Sequence, residues 1–207
     1  MKLKPAQPVN QGFTIVELMI ATVIFSFVLL VASSGVIAIG KIYYKGITSS
    51  KTQEVTRSIM EEIARARQFG SGDVGFGTSG SVSAYCFGED RYSYQINNKV
   101  DLSTGTKALI HNIRTDLNLC TPDMSSGEEL LSNNMRLLEF AITPAGADKS
   151  NISIKVAYGD NDLLSSYDNN GNPNGLAPTA ALCKAGAGSN FCATAQLETV
   201  VGKRYSK

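Results

Sequence analysis

The chain has 207 residues and is almost neutral, with 19 Lys and Arg against 18 Asp and Glu. That balance gives no electrostatic footprint for nucleic acid. The single histidine, His111, cannot build the usual zinc site, and the four cysteines form no CxxC pair. An apolar N-terminal segment leaves enough chain for one small globular domain.

Lys2 and Lys4 precede the apolar run, and no acidic residue does. The positive-inside rule then keeps the N-terminus cytoplasmic and delivers the rest outside. Leu18 to Gly40 is 23 residues without a charge. As a helix it spans about 35 Å, enough for a hydrocarbon core of about 30 Å. Glu17 stands at the head of this run. A carboxylate there gains from the helix dipole, yet in lipid it costs about 3 kcal/mol or more unless paired. A secretory signal peptide has a short apolar core followed by small residues at its cleavage site. Here the apolar stretch is longer, and Gly12 lies before it.

Gly12-Phe13-Thr14-Ile15-Val16-Glu17-Leu18, behind a basic leader, resembles the processing site of type IV prepilins and type II secretion pseudopilins. The resemblance implies cleavage by prepilin peptidase between Gly12 and Phe13, and N-methylation of Phe13. It makes Glu17 the fifth mature residue. In a fibre, Glu17 of one subunit can pair with the new Phe13 amine of another, so assembly supplies the missing partner. The implied fold is α+β, the pilin-like lollipop: a long N-terminal helix packed on a mostly antiparallel β-sheet head. The implied partners are prepilin peptidase, other pilin subunits in a helical filament, an inner-membrane assembly platform, and the membrane before assembly. The expected location is the cytoplasmic membrane first, then an extracellular pilus. Many pilins carry a proline about twenty residues into the mature helix. This chain has Ala32-Ser33-Ser34-Gly35 there, and Gly35 and Gly40 are the residues expected to weaken the helix.

The expected organisation is a leader over 1–12, a membrane and assembly helix over 13–40, its amphipathic half over 41–69, and a β-rich head over 70–207. From Lys41 to Phe69, Ile42, Ile47, Val55, Ile59, Ile63 and Phe69 recur near helical spacing, with Met60 and Ala66 alongside. Gly70 and Gly72 signal the helix stop. The Gly- and Ser-rich stretch from Gly70 to Ser83 reads as a loop. Strand patterns follow at Tyr92–Ile96, with a turn at Asn97-Asn98, and at Lys107–Ile113. Met135–Ile142 and Ile152–Tyr158 read as a hairpin around Thr143–Asn151, and Ala195–Val201 as the last strand. About five strands result, mostly antiparallel by connection length.

Cys86, Cys120, Cys183 and Cys192 all lie beyond the membrane segment. An even count on that side implies two disulfides in an oxidising compartment. Four cysteines allow three pairings. Sequential pairing, Cys86–Cys120 and Cys183–Cys192, closes the smallest loops and is the expectation. Asp160, Asp162 and Asp168 lie in an Asp/Asn/Gly-rich loop, and some major pseudopilins bind calcium in a head-domain loop. The spacing does not match an EF-hand, and Asn and Gly are also turn formers, so the expectation is a solvated turn and no metal or cofactor. No nucleophile motif accompanies His111 and no phosphate loop appears, so no enzyme is expected. The function expected is a structural subunit, a minor pilin of a type IV pilus. The alternatives are a type II secretion pseudopilin and a signal-anchored extracytoplasmic binding module.

Overall fold

The structure, a computed structural model, describes residues 12–117, 119–146, 148–167, 173, 175–186 and 188–204. Lys2 and Lys4 of the leader, and Asp168 with most of its Asn/Gly-rich neighbours, lie outside the described residues.

Helix α1 runs from Ile15 to Phe69, two residues inside the expected start. Thr14 supplies the cap that explains the difference. Its Oγ1 accepts the Glu17 N–H at 3.2 Å, and its carbonyl accepts the Leu18 N–H at 3.1 Å. Ser or Thr followed three residues later by Glu is the sequence signature of such a start. Gly35 and Gly40 do not interrupt the helix. It stops at Gly70, whose N–H donates to the Ala66 carbonyl at 2.7 Å. A Cβ on Gly70 would stand 2.6 Å from that same oxygen, so the turn requires glycine.

The chain divides into two units at Ile42 and Tyr43. In the first, every residue from Gly12 to Ile39 is exposed.

In the second, the helix from Tyr43 onwards packs with two antiparallel sheets. The larger sheet has the order β1(Val74–Ser79), β2(Val82–Phe87), β3(Asp90–Tyr94), β4(Leu109–Ile113) and β5(Glu128–Glu129). The smaller consists of β6(Met135–Pro144), β7(Lys149–Tyr158) and β8(Ala193–Gly202). Among the described residues there are thus eight strands, where about five were expected. The stretch read as a loop, Gly70 to Ser83, holds β1 and the start of β2. Its glycines serve a strand that another backbone approaches closely. A Cβ at Gly77 would collide with the Cys120 carbonyl. The predicted hairpin β6–β7 is present, with Met135 opposite Tyr158 and Pro144 opposite Ser150.

The buried stripe of the helix matches the expected one at Ile59, Met60 and Ile63 and departs from it elsewhere. Thr52, Thr56, Ile59, Met60, Ile63 and Arg67 are buried, while Ile42, Ile47 and Phe69 are exposed. Threonine can be buried here because its hydroxyl bonds within the helix. Thr52 Oγ1 donates to the Thr48 carbonyl at 2.8 Å, and Thr56 Oγ1 to the Thr52 carbonyl at 2.7 Å. Arg67 Nε donates to Ser150 Oγ at 3.0 Å. Ile59, Met60 and Ile63 meet Tyr92, Leu109, Leu137 and Ile154 in the main core. Complete burial of a side chain such as Ile63 stabilises by about 2 kcal/mol. A second cluster holds Leu138, Ala157, Leu164, Tyr167, Ala181 and Cys192.

Candidate processing and assembly site

Gly12, Phe13 and Thr14 lie before the helix and are exposed. A Cβ on Gly12 would meet nothing within 4 Å, so the chain's own packing does not require glycine there. Phe13 is 77% exposed. Glu17 lies in the first helical turn, where the dipole favours a carboxylate. Its backbone N–H is taken by Thr14, while its carboxylate meets no cation or hydrogen-bond donor among the described residues.

The run that follows has the chemistry of a segment made for an apolar solvent. Thr22, Ser26 and Ser34 each return their hydroxyl to a backbone carbonyl one turn earlier, at 2.8–2.9 Å. In lipid every polar group needs such an internal partner. Helix α1 is long and apolar enough to cross a membrane. A continuous exposed apolar surface of this kind needs lipid or other helices around it.

Both expected disulfides are present. Cys86 of β2 bonds Cys120, and Cys183 bonds Cys192. Of the calcium candidates, Asp160 is engaged by Lys99 Nζ at 2.8 Å, and Asp162 lies in the first turn of a short 3-10 helix. Asp168 lies outside the described residues. Among the described residues no three acidic, His or Cys side chains converge as a metal site.

One polar constellation was not legible in the sequence. His111, on β4, lies between Glu62 of the helix and Asp90 of β3. Its Nδ1 is 3.2 Å from Glu62 Oε1, and its Nε2 is 2.9 Å from Asp90 Oδ1. The Tyr92 ring stacks on the imidazole at 4.7 Å, and its hydroxyl reaches Glu62 at 3.4 Å. These residues border a cleft of about 490 Å³ with Arg65, Phe87 and Glu89 on its rim. Burial pushes the Glu62 carboxyl up, and the facing imidazole only partly offsets this. Burial likewise raises the Tyr92 hydroxyl well above its ordinary value. Each ring nitrogen thus faces a carboxylate oxygen. The sequence signal was only the His itself, because its partners come from two other elements, the helix and β3.

No curated protein and no solved structure matches the chain. Residues 8–33 match the family model of the prokaryotic N-terminal methylation motif. That segment contains Gly12, Phe13, Glu17 and most of the apolar run. The motif is the signature of type IV pilins and pseudopilins, and it implies processing by prepilin peptidase and assembly with other pilin subunits. Residues 8–33 thus carry the N-terminal signature of type IV pilin-like and pseudopilin proteins.

Proposed function

We propose that the chain is a non-enzymatic fibre subunit, a minor pilin of a type IV pilus. Prepilin peptidase cuts between Gly12 and Phe13, and Phe13 is N-methylated. The helix holds the subunit in the cytoplasmic membrane, N-terminus inside and head outside, until an inner-membrane assembly platform draws it into the fibre. The pairing of cysteines in the head supports an oxidising compartment for that domain. The single observation that carries the proposal is the exposed Glu17 carboxylate, partnerless among the described residues, at the helix start inside the methylation motif.

The driving force is electrostatic. In lipid an unpaired Glu17 costs about 3 kcal/mol or more. Pairing it with the Phe13 amine of a neighbouring subunit removes that cost and sets the stagger between helices. A type II secretion pseudopilin would use the same contact, and the two differ in whether the chain appears in surface fibres. The test is Glu17→Gln expressed in the native cell. The processed variant should accumulate in the membrane and be missing from sheared surface fibres. Incorporation equal to that of the unaltered chain would contradict the proposed contact.

A further inference from the structure

The helix of the second unit begins with an exposed aromatic group. Tyr43 and Tyr44 stand 6.2 Å apart, edge to face, and the Phe191 ring lies 5.7 Å from Tyr44. All three are at least half exposed, at 66%, 54% and 51%. Phe191 is nevertheless firmly placed. Lys45 Nζ donates to the Cys192 carbonyl at 2.7 Å and to the Ser189 carbonyl at 3.1 Å. The Cys183–Cys192 bond closes the same loop. The chain therefore holds three large rings outward on a tethered support, a costly arrangement in water.

Chain continuity identifies what covers them. Gly40 is the last residue of the uncharged run, and Lys41 carries the first charge beyond it. Tyr44 follows Gly40 by four helical residues, about 6 Å of rise. The polar layer on each side of the hydrocarbon core is about 5–7 Å thick. Tyr44 thus falls in that layer whichever way the rest of the unit points, and Phe191 packs against Tyr44. Tyrosine at this depth, flanked by lysine, is the composition that a membrane interface selects.

We propose that Tyr43, Tyr44 and Phe191 form a surface that sits in the headgroup layer of a phospholipid bilayer, and that Lys45 and the Cys183–Cys192 bond hold the loop there before assembly. This rests on the membrane-held helix of the proposed function. Its partner is the lipid surface, and the interaction ends when the helix leaves the bilayer.

The chain has no tryptophan, so each single Trp is an unambiguous reporter. Phe191→Trp, Tyr44→Trp, Phe25→Trp and Phe69→Trp are made in the full chain and reconstituted into vesicles of phosphatidylcholine brominated near the top of its acyl chains. Phe69 lies about 37 Å along the helix from Tyr44. The expected result is a blue-shifted emission for F191W and Y44W that loses roughly half its intensity to the bromines, as befits rings at the interface. F25W should also be quenched, and F69W should not. Quenched F25W and Y44W with unquenched F191W would overturn the inference and leave the membrane reading standing. Unquenched F25W would remove both. Quenching of F69W as strong as that of F191W would overturn the assignment of this surface.

Discussion

His111 bridges the helix to the larger sheet, with Nδ1 3.2 Å from Glu62 Oε1 on one side and Nε2 2.9 Å from Asp90 Oδ1 on the other. The bridge joins residue 62 of the helix to adjacent strands β3 and β4, where His111 stands opposite Tyr92. It supplies a polar clamp beside the main hydrophobic cluster.

The burial of Glu62 predicts a pH dependence. Burial raises the Glu62 carboxyl from its ordinary value of 4.5. A carboxyl raised on folding contributes stability that is present below its unfolded value and is lost as pH rises through its folded value. Glu62→Gln does not ionise. The wild type should therefore lose stability relative to Glu62→Gln as pH rises from below 4.5 towards neutrality. The Glu62 side chain is 37% exposed, so screening keeps the change within about 1 kcal/mol. Urea unfolding of the detergent-solubilised chain at acid and neutral pH measures it. A difference that does not vary with pH would contradict the raised Glu62 carboxyl.

Arg136 is fully buried, and among the described residues no carboxylate hydrogen-bonds to it. Its guanidinium donates to the Tyr167 hydroxyl at 3.1 Å and to the Gly159 carbonyl at 2.9 Å, while Nε has no hydrogen-bond partner among the described residues. Burial holds the group below the usual guanidinium range. Its aliphatic stem and its volume then matter as much as its charge. Arg136→Ala should cost about 3 kcal/mol through the cavity and the abandoned acceptors. Arg136→Met, which keeps most of the volume, should cost less than half of that. Thermal melts of the two variants decide the matter, and equal losses would show that charge rather than packing governs the site.

The two disulfides and the close approach of Gly77 to Cys120 give three further stability tests. The Cys86–Cys120 bond spans a sequence separation of 34 and Cys183–Cys192 one of 9. In the chain-entropy model, replacing the first pair by serine costs about 4 kcal/mol and the second about 2.5. Gly77→Ala should also destabilise, since its Cβ would strike the Cys120 carbonyl. Urea midpoints under oxidising conditions order the three. A harmless Gly77→Ala would mean that β1 can draw away from Cys120.

What the sequence disclosed followed the strength of its periodic signals. The helix was legible because a long uncharged run and a polar amphipathic segment join without a breaker. Its buried face was misread in part, because apolar content alone cannot show that Thr52 and Thr56 hide their hydroxyls in the helix backbone. The hairpin β6–β7 was legible from its apolar runs. Strands β1 and β2 were partly obscured because glycine signals a turn, whereas Gly77 answers to the close approach of Cys120. Gly12, Phe13 and Glu17 were legible as a local motif. The contacts of His111 were not, because Glu62 and Asp90 reach it only through folding.

Mass spectrometry of the mature N-terminus, taken from the native cell, tests the central claim most directly. The account predicts a chain that begins at Phe13 and carries one added methyl group on its amine. A chain that still begins at Met1, or one cut after the apolar run, would contradict it, and Glu17 would then have no processed amine to meet.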